Sequence, residues 1–220
     1  MELPEKKKSD KILLVTISII FIILISILSI KYFYKPETSN TIDELHQLNL
    51  EGKLDPMKGY MYNGYSFVNV DGFWFTEMKS QSGRTLYSLD FRFGPKEVTE
   101  VEVRGKLNIE LFDSANDYYI TYNPVGQDFR YEVLAVGDIN QHMLKVFKKN
   151  PIAACDRNET GACKVRPIIK CDNTDKLVFY INKSTETSVE FKDNCIVING
   201  DELDLVKAVD KLLYLLYNIY

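Results

Sequence analysis

The longest apolar run of the chain lies near its N-terminus. Residues 12–30 read ILLVTISIIFIILISILSI, and the only polar side chains among them are one threonine and three serines. As a helix, this run would extend for about 28 Å, close to the thickness of the hydrocarbon core of a bilayer. A lysine and three aromatic residues follow it, instead of the small residues of a cleavage site. The pattern predicts an uncleaved signal-anchor helix over residues 12–34, with a cleaved signal peptide as the alternative.

Charges on the two sides of this run predict its orientation. Four lysines precede it within residues 1–11, and two follow it, at Lys31 and Lys35. Because the more positive side of a span stays in the cytoplasm, residues 1–11 are expected to form a cytoplasmic tail. The remainder is expected outside, which would make the chain a single-pass protein of the cell membrane.

Residues 35–58 are predicted to form a stalk between the anchor and the folded domain. The sequence TIDE at 41–44 resembles a capping box, and three apolar residues at helical spacing follow its threonine. The stalk is therefore expected to contain a short helix. His46 falls on this helix and is expected at the surface.

Runs of aromatic and β-branched residues alternate with turn signals over residues 59–93, as is typical of strands. The segments YMYNGYSFVNV, GFWFTEMKS and TLYSLDFRF are each interpreted as one strand, and Asp71-Gly72 is a hairpin signal between the first two. The pattern predicts a three-stranded antiparallel meander.

Helix and strand patterns divide the rest of the chain. A strand at 118–124 leads to a helix at about 129–148, and four short strands precede a closing helix from 201 to 219. Those four strands have the sequences VRPIIKC, KLVFYI, TSVEF and NCIVIN. His142 borders the apolar stripe of the first helix and is expected to be a packed or half-exposed structural histidine. Residues 59–220 are therefore predicted to form an extracytoplasmic α+β domain, in which an antiparallel or mixed sheet carries two main helices.

Aromatic residues provide a candidate partner surface. Tyr60, Tyr62 and Trp74 of the meander and Tyr214 and Tyr217 of the closing helix are the residues expected to contact a partner. The alternative for the meander is that its aromatic residues face the core as cross-strand pairs. The closing helix is so apolar that it should either pack against the sheet or be shared with a partner.

The spacing of the four cysteines is C-x7-C-x7-C-x23-C. Zinc sites use close pairs such as C-x2-C, and neither histidine lies near the cysteines in sequence, so we expect no metal site. A catalytic thiol would need a nearby base and protection from oxidation. Cysteines outside the cytoplasm usually form disulfides, and four of them allow three connectivities. We favour Cys155–Cys163, which closes a short polar loop, and Cys171–Cys195, which joins two predicted strands.

Two N-x-S/T sequons agree with a location outside the cytoplasm. Asn158 lies in the loop that the first disulfide would close, and Asn182 lies in a predicted turn. Both are candidate glycosylation sites, because surface loops accept this modification.

The charge pattern argues against a nucleic-acid partner. The chain has 27 basic and 31 acidic side chains, of which residues 1–35 hold six and three, so the remainder carries 21 and 28, a net charge of −7. A nucleic-acid-binding surface needs a basic stripe, which the sequence lacks. The expected partners are the membrane and either an envelope protein or a second copy of the chain.

The sequence contains no motif of established catalytic chemistry. It lacks the P-loop, the dinucleotide-binding glycines, the HExxH zinc motif and the GxSxG nucleophile elbow. We therefore assign no catalytic, cofactor-binding or metal-ligating residue and expect no cofactor. Carboxylates alone can form a hydrolase site, and the candidates are Asp71, Asp90, Glu100, Glu102 and Glu110.

Two C-terminal segments carry a family resemblance. PIAACDRNETGACKVRPIIKC at 151–171 and NCIVINGDELDLVKAVDKLL at 194–213 resemble a group of uncharacterised archaeal single-span membrane proteins with a four-cysteine extracytoplasmic domain. The segments YNGYSFVNVDGFWFT and FGPKEV extend the resemblance over most of residues 12–219. The resemblance implies the anchor, the four cysteines and the closing helix, but no catalytic residue.

The expected function is binding or scaffolding in the cell envelope, without enzymatic activity. One alternative is a carboxylate-dependent envelope hydrolase. The other is an accessory subunit of a membrane complex, in which the span would pack on other helices through Ser18, Ser26 and Ser29.

Overall fold

The computed structural model describes residues 5–33, 40–80, 83–126 and 128–220. The chain divides into two compact units, residues 1–41 and residues 42–220.

The first unit contains one helix, α1, at Glu5–Phe33. Within it, the hydroxyls of Ser18 and Ser26 donate hydrogen bonds to the carbonyl oxygens of Leu14 and Ile22, at 2.9 and 2.8 Å. Among the described residues, no helix combines the length and the apolar content that a membrane span requires. The predicted anchor therefore stays a prediction, and its last residue, together with residues 35–39 of the predicted stalk, lies outside the described residues.

The second unit is α+β, with two sheets and four helices, as its described residues show. The helices are α2 (Ile42–Leu50), α3 (Ile109–Ser114), α4 (Arg130–His142) and α5 (Glu202–Leu216). The strands are β1 (Gly59–Tyr62), β2 (Tyr65–Val70), β3 (Phe73–Lys79), β4 (Leu86–Phe91), β5 (Glu102–Arg104), β6 (Asp117–Tyr122), β7 (Asn150–Ala153), β8 (Val178–Lys183), β9 (Ser188–Lys192) and β10 (Cys195–Gly200).

The first four strands form one antiparallel sheet in the order β1-β2-β3-β4, which we call the meander sheet. It has four strands instead of the predicted three, because the segment YMYNGYSFVNV turns back on itself. Asn63 and Gly64 have φ angles of 47° and 86°, and Tyr62 pairs with Tyr65 across them. A two-residue hairpin of this type requires positive φ at both turn positions, which Asn-Gly adopts readily.

Helix α2 packs on β1 and β2, so the folded unit begins at Ile42 instead of residue 59. Two polar side chains of the helix are buried in this contact, His46 and Asn49. The Asn49 amide donates to the Ser66 hydroxyl at 2.7 Å, and Nδ1 of His46 lies 2.9 Å from the same hydroxyl. The expectation of a surface-exposed His46 is therefore wrong, because hydrogen bonds to a neighbouring strand make its burial tolerable.

The remaining strands form a mixed sheet in the order β5-β9-β10-β8-β6-β7. The four strands from β10 to β7 in this order are parallel to one another. Strand β9 is antiparallel to β10, and β5 is parallel to β9. Helix α4 is the crossover between the parallel strands β6 and β7. The prediction of a strand at VRPIIKC is wrong, because this segment makes a single bridge, between Ile168 and Cys155. The edge of the sheet beside β6 is formed by β7. Pro167 cannot donate to a ladder, which explains why the run does not pair as a strand.

The first predicted main helix corresponds to α4 and a π-helical turn at Met143–Phe147. The turn ends at Lys148, whose φ of 56° is left-handed. His142 is buried, with Nδ1 at 2.8 Å from the Tyr217 hydroxyl and Nε2 at 3.1 Å from the carbonyl oxygen of Asp90. The prediction of a packed or half-exposed structural histidine is confirmed, and the side chain is packed.

Helix α5 is the central element of the core. Tyr214 is 0% exposed and Tyr217 is 4% exposed, and both belong to the main hydrophobic cluster. The expectation that these two tyrosines contact a partner is therefore wrong. Helix α5 packs against β9 and β10 of the mixed sheet and against α4, and Tyr214 contacts Phe67 and Phe91 of the meander sheet.

The two buried histidines predict a loss of stability in acid. Burial lowers the pKa of His46 and of His142 below the ordinary value of 6.5. The folded state therefore favours the neutral imidazoles, so their contribution is complete above pH 6.5 and is lost as the pH falls through the folded pKa values. Each histidine adds at most about 1.4 kcal/mol per pH unit to the slope.

Urea unfolding of the wild type and of His46→Gln, followed between neutral pH and about pH 5, checks this expectation. The variant should lose part of the acid sensitivity, because glutamine does not titrate. Equal slopes for the two proteins would contradict the role of His46.

Candidate ligand-binding cleft

A cleft of about 550 Å³ opens within the second unit and is called the lysine cleft here. Its volume falls in the range of roughly 300–1,000 Å³ that is usual for small-molecule sites. Apolar walls come from the meander sheet, α3, the π-helical turn and the end of α5, and they are formed by Met78, Tyr87, Phe112, Val146, Phe147, Leu216 and Tyr217. Its polar lining consists of Lys79, Ser80, Asp113, Lys149 and Asn218.

Aromatic packing fixes the wall of the cleft. Phe147 stacks on Tyr217 at 5.1 Å between ring centres and meets Phe112 edge-on at 5.3 Å. The side chain of Asn108 caps α3 by accepting a hydrogen bond from the backbone N–H of Leu111 at 3.1 Å, which holds Phe112 in place. The π-helical turn presents Val146 and Phe147 to the cleft, and such turns are frequent at functional sites.

Lys149 is the buried charge of the lysine cleft. Its side chain is 5% exposed, its ammonium donates to the carbonyl oxygen of Ala115 at 2.6 Å, and it lies 4.8 Å from the centre of the Phe112 ring. Within the described residues, no carboxylate lies within 4.0 Å of it. Burial lowers the pKa of Lys149, and Asp113 partly opposes that shift.

Three further lysines lie on or next to elements that line the cleft. Lys79 lines the cleft, and Lys148 lies 5.9 Å from the centre of the Tyr87 ring. Lys145 donates to the carbonyl oxygen of Ser88, on the strand that carries Tyr87. None of the three forms an ion pair with a described carboxylate. The cleft is therefore a local concentration of positive charge on a part of the chain that is net negative.

A second cleft, of about 570 Å³, lies between α2 and the meander sheet. Ser66, His46 and Glu77 line it together, a set that the sequence analysis did not anticipate. Nε2 of His46 is buried and has no hydrogen-bond partner among the described residues. Glu77 therefore does not orient the imidazole as the third member of a catalytic triad would.

The carboxylates proposed for a hydrolase do not converge on any of the clefts described. The two clefts above and a third beside Cys155 are each lined by at most one carboxylate, Glu77 or Asp113. Asp90 instead accepts a hydrogen bond from Gln141, and Glu102 pairs with Arg104, while Asp71, Glu100 and Glu110 line none of the three clefts. A paired-carboxylate mechanism needs two such groups in one cleft.

The disulfides follow the favoured pairing. Cys155 is joined to Cys163 and Cys171 to Cys195, with Cα separations of 5.9 and 5.3 Å. The first closes the polar loop, and the second fastens the segment before β8 to β10. Both lie away from the lysine cleft, whose lining contains no cysteine.

The two sequons differ in their surroundings. Asn158 is exposed in the disulfide-closed loop, as expected. Asn182 lies in β8 instead of a turn, and its amide donates to the side-chain oxygen of Asn199 at 2.7 Å. The Asn199 amide in turn donates to Ser188 and Glu190. A glycan on Asn182 would have to displace this network.

Replacing the sequon asparagines should therefore give different results. Asn182→Ala is expected to lower the free energy of unfolding by about 1 kcal/mol, because it removes a partly buried hydrogen bond. Asn158→Ala should stay within about 0.5 kcal/mol of the wild type, as surface substitutions do. Urea unfolding measures both, and an equal effect of the two changes would contradict the network.

The meander part of the predicted partner surface stays half-exposed. Tyr60 lies 4.9 Å from the Trp74 ring and under the ammonium of Lys96, at 4.0 Å, and Tyr62 lies 5.6 Å from Tyr220, between ring centres. Burial raises the pKa of Tyr60 to about 12. These three residues, Tyr60, Tyr62 and Trp74, form an aromatic cluster that packs on the core with one side.

The lysine cleft cannot be predicted from the sequence, because its residues come from five separate stretches of the chain. One local signal existed: Lys145, Lys148 and Lys149 lie close together beyond an apolar helix. Such lysines are usual at helix C-termini, where they oppose the helix dipole, so the signal alone does not predict a site.

No family model, no curated protein and no solved structure matches the chain. The resemblance to archaeal single-span proteins therefore stays a prediction. The fold and the clefts are described from the structure of this chain alone.

Proposed function

We propose that the chain is a membrane-anchored extracytoplasmic domain that binds a small ligand in the lysine cleft. Residues 12–34 hold it in the cell membrane, residues 1–11 lie in the cytoplasm, and the unit at 42–220 lies outside. The role is binding and not catalysis.

Three observations support the location. The apolar run has the length of a membrane span. The lysines that flank it favour a cytoplasmic N-terminus. Two disulfides within the second unit are typical of proteins outside the cytoplasm.

One observation carries the binding role: Lys149 is a buried lysine that lines a largely apolar cleft, and no described carboxylate lies within 4.0 Å of its ammonium. An ammonium in such a place lowers the stability of the fold unless something compensates its charge. Functional sites often retain such unfavourable groups. A bound ligand would supply the missing partner.

A contact with an envelope protein or a second copy is the second candidate. The half-exposed aromatic cluster of Tyr60, Tyr62 and Trp74 favours it, because aromatic residues are enriched in interfaces. The alternative of an accessory subunit receives less support. Ser18 and Ser26 donate to carbonyls of their own helix, which occupies the hydroxyl protons that could join a neighbouring helix.

The location is tested on membranes that contain the full chain. Alkaline carbonate should leave the protein in the membrane, and protease added outside should remove the second unit but not the N-terminal tail. Release by carbonate would contradict the anchor.

The binding role is tested by mass spectrometry of small molecules that co-purify with the full chain in polymer-excised lipid discs. A compound should be enriched over Val146→Trp, which fills the cleft, and should be retained by Leu144→Trp. Leu144 is exposed on the same turn and does not line the cleft. If no compound distinguishes the two variants, the cleft is not the binding site.

A further inference from the structure

We infer that the ligand of the lysine cleft is a single-chain anionic amphiphile, with one carboxylate or phosphate head and one apolar chain. The inference rests on the proposed function and names the class of ligand for the same site.

Lys149 provides the contact for the head. An ammonium has three N–H donors, and the carbonyl oxygen of Ala115 is the one acceptor that Lys149 has among the described residues. The other two donors can bind oxygen atoms of a ligand. Hydrogen bonds between an ammonium and an anionic oxygen are about twice as strong as neutral ones, and a partly desolvated site screens them less than water does.

The charge balance around the cleft selects an anion. Lys79 and Lys149 line it, with Asp113 as the one carboxylate among the described lining residues, and Lys148 lies 5.9 Å from the centre of the Tyr87 ring in its wall. The rest of the second unit is net negative, so the cleft is an attractive place for an anion on a surface that otherwise repels it. A cationic ligand would meet the opposite field.

The apolar walls of the cleft favour a ligand that also has an apolar chain. Seven of the twelve lining residues are apolar or aromatic, including the stack of Phe147 on Tyr217. Sugars and nucleotides need a row of polar groups along the site. Among the described lining residues the uncharged polar groups are the side chains of Ser80 and Asn218 and the hydroxyls of Tyr87 and Tyr217, and the Tyr217 hydroxyl already contacts His142. An alkyl chain needs no such groups and gains free energy from leaving water.

A free fatty acid and a lysophospholipid-like phosphate share this chemistry. Each has a compact anionic group on one chain, and each could reach a domain that is held at a membrane. Competition between a carboxylate and a phosphate of equal chain length distinguishes the two sources.

The experiment uses the full chain in phosphatidylcholine nanodiscs and a fatty acid that carries a photoreactive diazirine in its chain. After irradiation, cross-linked peptides are identified by mass spectrometry. We expect cross-links on the π-helical turn at 143–147 and on the end of α5. Decanoate and decyl phosphate are the competitors, and decyl maltoside is the uncharged control of equal chain length.

Four variants separate the charge of the cleft from its shape. Lys149→Met removes the ammonium at similar size, and labelling should fall by at least about tenfold, as expected for the loss of a charged hydrogen bond. Lys176→Met is the matched control, because Lys176 also lies over an aromatic ring, that of Tyr119, outside the cleft. Val146→Glu should also abolish labelling, whereas Leu144→Glu on the same turn should not.

The outcomes decide between the ligand class and the site. Competition by decanoate identifies the carboxylate as a ligand, and competition by decyl phosphate identifies the phosphate. If decyl maltoside competes equally and Lys149→Met changes nothing, the anionic class is wrong. If the probe labels only other surfaces, the inference is overturned. A neutral compound that co-purifies and is lost in Val146→Trp would overturn the inference while leaving the proposed function intact.

Discussion

Replacing Tyr214 with alanine is expected to lower the free energy of unfolding by about 3–5 kcal/mol, the usual cost of removing a large aromatic side chain from a core. Tyr214 is fully buried on α5. Its ring lies 4.3 Å from that of Phe91 and meets that of Phe67 edge-on at 5.8 Å. Its hydroxyl donates to the carbonyl oxygen of Phe93 at 2.7 Å. Chemical denaturation measures the loss.

Two companion variants make this result interpretable. Tyr214→Phe keeps the ring but leaves the carbonyl of Phe93 without its donor, so we expect a loss of about 1–3 kcal/mol. Tyr62→Ala, in the half-exposed aromatic cluster, should cost about 1 kcal/mol, because less apolar area returns to water. A change of less than about 0.5 kcal/mol for Tyr214→Ala would instead be typical of an exposed tyrosine and would restore the interpretation of α5 as a partner surface.

Removing the disulfide between Cys171 and Cys195 should be the second-largest single effect. The two cysteines are 24 residues apart in sequence, and the chain-entropy relation gives about 3.4 kcal/mol for a loop of that length. Cys195 is completely buried on β10, next to Val178 and Val197 in the smaller hydrophobic cluster. The double replacement by alanine therefore also removes packing.

The disulfide between Cys155 and Cys163 is the internal control. Its cysteines are 8 residues apart, so the same relation gives about 2.5 kcal/mol, and it closes an exposed loop. Unfolding of both double-alanine variants in urea should therefore rank the longer disulfide first. The reverse order would show that the segment before β8 does not depend on its attachment to the sheet.

Local sequence patterns predicted those features of the fold that depend on residues close together in the chain. The α+β class and the closing helix follow from periodicity, whereas the spacing of the cysteines left three connectivities open and the favoured pairing of Cys171 with Cys195 was confirmed although VRPIIKC is not a strand. The meander was one strand short because Asn63-Gly64 lies inside an unbroken run of aromatic and aliphatic residues. A stricter use of the Asn-Gly turn signal would have found that hairpin.

Features that depend on distant partners could not be predicted. The burial of His46 depends on Ser66, which lies on another element. The run VRPIIKC has the composition of a strand, but residues 150–153 occupy the place beside β6 that it could have taken. The lysine cleft combines residues between Met78 and Asn218, and no local window of sequence contains that information.

The position of β10 has a consequence for the order of events during synthesis. This strand lies inside the mixed sheet, between β9 and β8, although it is the last of the described strands in sequence. Helix α5, which the core of both sheets requires, follows it. A nascent chain that stops before Cys195 has neither, so β9 and β8 lack the neighbour that joins them. Strands β8 and β9 should therefore be held in place only after β10 and α5 have been made, and truncated chains that stop before Cys195 should be sensitive to protease in both strands.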